Sequence, residues 1–370
     1  MKRQDWIIII AIFALASFSC AGNAHRQKIR LIKAGDSFPE TPLPIPPDPR
    51  SQKYLGVSGE NNFTLKAVGA DLIVVEILSV HCPSCQRQSK AYNKLYDLIE
   101  QDPQTRDRIK MIGIAAGNSW AEVTHFIAQY NVRFPIIPDP QYHFYNAIGE
   151  TRAPFTIYVR QQPGMPAAIV AKTHFGLNLQ YMEVFDELKQ ILTLDVASIQ
   201  NANSKKVAVQ PIVKPVITKA ELEARIKKLF ADFGNPIGPI KKVMLKSARN
   251  VYTGLVDHNG ARLRLFAEAV SRPPVCIDCH DVHFIYAFDP AGRVIGFEPI
   301  QLTKYGNEPW DPDDVSKMRS RIIGRTLSES ITFQPDVDAV SSATITSGII
   351  FNSLSSGRRL LDELKAKGLI

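Results

Sequence analysis

Over the first half of the chain, apolar runs alternate with amphipathic stretches. "DLIVVEILSV" reads as a buried strand, "PSCQRQSKAYNKLYDLIEQD" as a helix, "IKMIGIAAG" as a second strand and "SWAEVTHFIAQYN" as a second helix. After "FPIIPD" and a short helix from Tyr142 to Gly149 come the strands "APFTIYVR" and "AAIVAKTH" and a closing helix from Leu179 to Leu194. This alternation predicts an α/β domain whose sheet has crossover connections. "ETPLPIPPDPRSQ", upstream, is too rich in proline for a packed element and reads as a loop.

Residues 197–217 mix polar residues, lysines and two prolines with neither period, and read as a linker. Thr218 followed by Glu221 is a capping-box pattern ahead of "ELEARIKKLFADFG", so a helix opens the second domain. "NVYTGLVD" and "RLRLFAEAV", joined by "HNGA", predict one hairpin; "VHFIYAF" and "RVIGFEPIQL", joined by "DPAG", predict another. "SGIIFNSLSSGRRLLDELKA" reads as one final helix. The second domain, 218–370, is thus expected to be α+β with an antiparallel sheet, and the first spans 30–196.

The formal charge of +8 is spread along all 370 residues, which gives nucleic-acid binding little support. "MKRQDWIIIIAIFALASFSC", residues 1–20, has a basic start, an apolar run and small residues around Cys20, the pattern of an export signal. Because Ser17 to Ala21 resembles a bacterial lipobox, Cys20 is expected to carry lipid on a membrane-anchored envelope protein. An uncleaved N-terminal anchor is the alternative, and residues 21–29 would be a lead-in either way.

The remaining four cysteines form two C-x-x-C pairs, Cys82/Cys85 and Cys276/Cys279. Cys82 follows an apolar strand and opens a helix, where unpaired N–H groups and the helix dipole favour a thiolate; Cys85 would then be the resolving thiol. A permanent disulfide or zinc half-site is the bland reading. With "HCPSC" and "TRAPFT", residues 30–195 resemble the thioredoxin superfamily, and within it the TlpA-like thiol-disulfide reductases of the bacterial envelope. The resemblance implies that Pro154 is the cis-proline facing Cys82 and Cys85, and His81 replaces the family's Trp.

"DAVSSATITS", residues 338–347, precedes an apolar helical run, a placement that suits a phosphate or is merely a Ser/Thr-rich N-cap. With this motif, "YAFDPAGRVIGFEPI" and "TKYGNEPW", residues 240–365 resemble the FMN-binding domains of the Rnf complex and of the sodium-pumping NADH:quinone oxidoreductase. The resemblance implies that an ApbE-like flavin transferase joins FMN through its phosphate to Thr344, with Asp338, Ser341 and Ala343 completing the motif and Glu308 near the flavin. Ser342 stands where the family has Gly.

"CIDCH" leaves three chemistries open. Haem c would be joined to Cys276 and Cys279 with His280 on the iron and His258, His283 or a methionine opposite. A redox dithiol needs only Cys276 and Cys279, although no helix follows to lower a thiol pKa. A zinc site would use Cys276, Cys279, His280 and His283. The expected activity joins thiol-disulfide exchange at Cys82/Cys85 with electron transfer through FMN and, if haem is present, through haem c as well. Alternatives are a flavin carrier whose thioredoxin-like half only docks partners, and a reductase for exported clients such as apocytochromes.

Overall fold

The computed structural model describes residues 30–59, 62–162, 164, 167–203, 213 and 216–370. The export segment, the lead-in, Cys20 and most of the linker lie outside the described residues. Among the described residues, no helix is long and apolar enough to cross a membrane.

The first domain opens with β1 (Leu43–Pro44), α1 (Pro49–Leu55) and β2 (Asn62–Phe63). The stretch expected to be a loop therefore holds a helix. Asp48 accepts from the N–H groups of Arg50 and Ser51, and Pro49 takes the first helical position, where its missing N–H costs nothing. Next come β3 (Leu72–Leu78), α2 (Pro83–Gln101), β4 (Ile109–Ala116), α3 (Trp120–Tyr130), β5 (Ile136–Asp139) and α4 (His143–Ala147). β6 (Phe155–Arg160), β7 (Ile169–Phe175) and α5 (Tyr181–Thr193) follow.

The strand order is β5-β4-β3-β6-β7; β3, β4 and β5 run parallel, while β6 and β7 are antiparallel to their neighbours. With the cis Ala153–Pro154 bond leading into β6, this is a thioredoxin-like fold. Every residue of the central β3 is buried, as expected of a strand covered on both faces. α6 (Val196–Asn203) continues into the stretch expected to be linker, because Val196 and Ile199 pack on Ile169 of β7.

In the second domain α7 (Lys219–Ala231) begins at Thr218, whose side chain accepts from Glu221 N. β8 (Asn235–Val243), β9 (Val251–His258), β10 (Ala261–Arg272), β11 (Val282–Phe288) and β12 (Val294–Gln301) form one antiparallel sheet in chain order. Two faces are built by alternation. Leu265, Ala267, Ile285 and Ala287 pack with Leu222, Ile226 and Phe230 of α7, while Phe266, Phe284, Tyr286 and Phe288 face the opposite core. α8 (Pro312–Ile322), α9 (Pro335–Asp338), α10 (Thr344–Ser355) and α11 (Gly357–Ala366) complete the chain. The single helix expected at the end is broken at Ser356, where ψ is 0°.

The largest apolar core spans both domains, apart from the cluster between α7 and its face of the second sheet. α10 is buried from Thr346 to Leu354, as befits a helix covered all round, and Gly348 lies against Tyr142 of the first domain. Gln141 and Phe333 exchange two hydrogen bonds, and Arg272 pairs with Glu150 at 2.9 Å. These contacts fix the tip of the β10–β11 hairpin over the C-terminal end of β3.

Candidate active site

β3 ends under the loop that carries Cys82, and α2 starts immediately after it. Cys82 occupies the N-cap position of α2 with Pro83 at the first helical position, yet its side chain caps no N–H. The cap comes from the other domain. Asp278 Oδ2 accepts from Ser84 N at 3.0 Å and lies 4.0 Å from the Cys82 sulfur. The negative carboxylate also suits the helix N-terminus.

CIDCH forms the tip of the β10–β11 hairpin and docks on the residue before Pro154. Ala153 pairs with Cys276 in a parallel bridge: Ala153 N donates to Val275 O, and Ile277 N donates to Ala153 O at 2.9 Å. Arg152 forms an ion pair with Asp281 beside this bridge. Behind the loop, Asn307 takes the His280 N–H on Oδ1 and donates to Asp278 O.

The result brings all four cysteines into one row. The Cys82 and Cys276 sulfurs and an Asp278 oxygen lie within 4.8 Å of one another. Cys82, Cys85 and Cys276 are buried, whereas Cys279 is half-buried. Hydrogen bonds from Cys276 and then Cys85 hold the Cys82 thiol well below the usual range, against burial and the Asp278 charge. Cys276, whose sulfur lies 3.9 Å from Asp278 Oδ2, has one S–H for Cys279 or for Cys82, and this, with burial, pushes its own thiol up. The same bond from Cys276 lowers Cys279. Burial, then Cys82 and Glu76, push Cys85 well up. In the reduced state the row therefore alternates in bias, towards the thiolate at Cys82 and Cys279 and towards the thiol at Cys85 and Cys276.

Glu76, which pattern reading passed over, belongs to this site. It is 3 % exposed in the middle of β3, its Oε1 accepts from Gln88 Nε2 at 2.8 Å, and burial followed by the Cys82 charge raises its carboxyl to about 8. The signal is an acid in the middle of the apolar run "LIVVEILSV". His81 sits on the rim with Nε2 2.6 Å from Glu122.

The other predicted residues fall elsewhere. His280 is exposed, and His283 is buried on β11 with Nδ1 2.9 Å from Ser271 Oγ, so the proposed zinc ligands are not brought together. His258 stacks on Phe233 at the opposite end of the β9–β10 hairpin. The residues as placed do not fit haem c, because Ala153 and Cys82 fill the space around the Cys276 sulfur.

Around Thr344 the arrangement does suit a phosphate ester. Thr344 opens the twelve-residue α10 half-buried, Ser341 and Ser342 are exposed, and Ala343 is the buried N-cap residue. Ser342 has φ 59°, the left-handed region, which accounts for glycine at this position of the motif. Asp338 is buried, accepts from Gln334 N at 2.9 Å and lies 3.6 Å from Arg325. Tyr305 N donates to Ser342 O at 2.7 Å, which sets the 305–308 turn, with exposed Glu308, beside the motif.

A family model described as Redoxin matches residues 33–162. Among solved structures, the chain is similar to a thioredoxin-family thiol:disulfide interchange protein from Chlorobium tepidum, with 14% identity over 36% of this chain and 88% of that one and a TM-score of 0.29. StoA from Bacillus subtilis gives 15% identity, 34% and 88% coverage and a TM-score of 0.28. A secreted Mycobacterium tuberculosis disulfide oxidoreductase homologous to E. coli DsbE gives 12%, 41% and 96%, and 0.29. No curated protein matches. Scores of this size leave the chemistry to be read from the residues themselves.

Proposed function

We propose that the chain is a thiol-disulfide oxidoreductase in which the two C-x-x-C pairs exchange a disulfide within one molecule. The observation that carries this is the seat of Cys276: its sulfur stands beside that of Cys82 while the backbone on either side of it is bonded to Ala153.

The Cys82 thiolate attacks Cys276 in a Cys276–Cys279 disulfide. The Cys82–Cys276 bond forms as the Cys276–Cys279 bond breaks, and Cys279, half-buried where Cys276 is buried, leaves as a thiolate that water can reach. Cys85 then passes its proton to the ionised form of Glu76 and attacks Cys82, and Cys276 leaves as a thiolate that takes up a proton from water. Cys82 and Cys85 end oxidised; Cys276 and Cys279 end reduced. The steps are reversible, and the external couple sets their direction.

A Cys85→Ser/Cys279→Ser double variant tests this, since neither resolving thiol remains. Mild oxidation should give one dominant cross-linked peptide, Cys82 to Cys276, in a non-reducing digest. Two free thiols after oxidation, or stoichiometric zinc bound by this pair in place of a cross-link, would refute the relay.

We further propose that Thr344 carries FMN after transfer by an ApbE-like enzyme, supported by the left-handed Ser342 and the exposed hydroxyls around it. Bound there, the flavin would supply one- and two-electron chemistry to the second domain. Asp338, fixed by Gln334 and Arg325, holds the start of the motif in place. Thr344→Ala should abolish flavin fluorescence that survives denaturation and washing; persistence of that signal refutes the attachment site. Export and a lipid on Cys20 belong to the same reading, which places the relay at the cell envelope.

A further inference from the structure

We infer that Cys279 is the port through which this protein exchanges electrons with outside thiols and disulfides, and that the docked hairpin closes Cys82 to extended polypeptide clients. The inference rests on the relay proposed above and names its outer terminus.

Three observations converge. Cys82 and Cys276 are 0 % exposed and Cys85 is 1 % exposed, so Cys279 is the one cysteine of the row that is not fully buried. Both main-chain groups of Ala153, the donor and acceptor that an extended segment would need beside Cys82, are taken by Val275 and Ile277. The first free N–H at the α2 terminus is taken as well, because Ser84 N donates to Asp278. Ile277 also lies over Gly176, a Cβ on which would come 3.7 Å from Ile277 Cδ1. A client bound along Ala153 would have to displace the protein's own loop from all of these contacts and break the Arg152–Asp281 pair. The partner that fits is one that needs only a sulfur at the loop tip: a small-molecule thiol or disulfide, or a cysteine protruding on another protein.

With glutathione disulfide as the probe, the Cys279 thiolate attacks one sulfur, forming a Cys279–glutathione mixed disulfide and releasing one glutathione thiolate. Cys276 attacks Cys279 and releases the second. The Cys276–Cys279 disulfide then oxidises Cys82 and Cys85 by the relay. One glutathione disulfide becomes two glutathiones, and the two electrons come from the buried pair.

The test starts from the fully reduced folded protein. A short pulse of N-ethylmaleimide followed by peptide mapping should label Cys279 about tenfold faster than Cys82, although Cys82 has a thiolate available. Cys279→Ser should slow formation of the Cys82–Cys85 disulfide by glutathione disulfide about tenfold or more. Adding Ile277→Pro, which deletes the N–H bonded to Ala153 O, should restore the rate by opening the loop. Faster labelling of Cys82 than Cys279, or oxidation of Cys279→Ser at the wild-type rate, overturns the port. Cross-linking in the Cys85→Ser/Cys279→Ser protein does not depend on the port, so the relay stands or falls separately.

Discussion

Replacing Glu76 with Gln should make the protein more stable, and increasingly so from acid to mildly alkaline pH. The carboxyl is 3 % exposed and titrates near 8 when folded, against an ordinary value of 4.5. Burial favours the neutral form. The stability held by the neutral carboxyl is therefore complete below about pH 4.5, declines with rising pH, and is gone above about pH 8. A difference of this size corresponds to about 5 kcal/mol above pH 8 and about 3 kcal/mol at pH 7. Gln keeps an oxygen for the Gln88 Nε2 donor, so Glu76→Gln removes the titration and little else. Urea unfolding of the two reduced proteins at pH 5 and pH 8 reads the effect, and the subtraction cancels the contribution of Cys82 to first order. The variant should gain little at pH 5 and several kcal/mol at pH 8, and resolve the Cys82–Cys276 disulfide more slowly. An equal gain at both pH values would refute the reasoning, because it would mean that Glu76 does not change protonation between them.

Where one element carries its own pattern, the sequence was readable. "DLIVVEILSV" could only be a strand buried on both faces, and the alternation in "RLRLFAEAV" and "VHFIYAF" specified both faces of the second sheet. β8 is hidden because Pro236, Pro239 and its exposed residues disguise an edge strand with a register shift between Ile237 and Lys241, places where a sheet tolerates proline. α1 was missed although Asp48 and Pro49 are a start signal, because the prolines before them weighed towards a loop. The first cysteine site was legible from strand, motif and helix. At the second, local sequence offers no helix to lower a thiol pKa; the lowering at Cys279 comes from Cys276, and Cys276 itself meets its partner 194 residues away in the chain. No periodicity encodes that meeting. It depends on Ala153, Asp278, Arg272 and Gly348, ordinary residues until two domains are set face to face.

The remaining predictions probe that meeting and the motif beside it. Gly348→Ala should gain about 1 kcal/mol of helix propensity yet destabilise overall, since its Cβ would lie 2.1 Å from the Tyr142 hydroxyl; adding Tyr142→Phe should recover part of the loss in thermal unfolding, and no recovery would reject the clash. Ser342→Gly should stabilise by about 1 kcal/mol by relieving a left-handed residue, read as a higher urea midpoint. Asp278→Asn keeps an acceptor for Ser84 N but removes a charge that opposes the Cys82 thiolate, so thiolate absorbance near 240 nm should persist to lower pH; a shift to higher pH would contradict it. Arg272→Ala bears on the whole assembly, because Arg272 joins Glu150 of the first domain to Asn352 and Ser353 of α10, with both charged side chains largely buried. Its loss leaves Glu150 without a cation at a cost of about 3–5 kcal/mol, which falls on the interface rather than on either sheet. Cys82 in Arg272→Ala/Cys279→Ser should then react with glutathione disulfide much faster than in Cys279→Ser alone, and Glu150→Gln should reverse part of that gain by removing the stranded charge. Unchanged protection of Cys82 in the double variant would show that the hairpin stays seated without this pair, held by the Ala153 bridge, the Arg152–Asp281 pair and the apolar core around Tyr142 and Gly348.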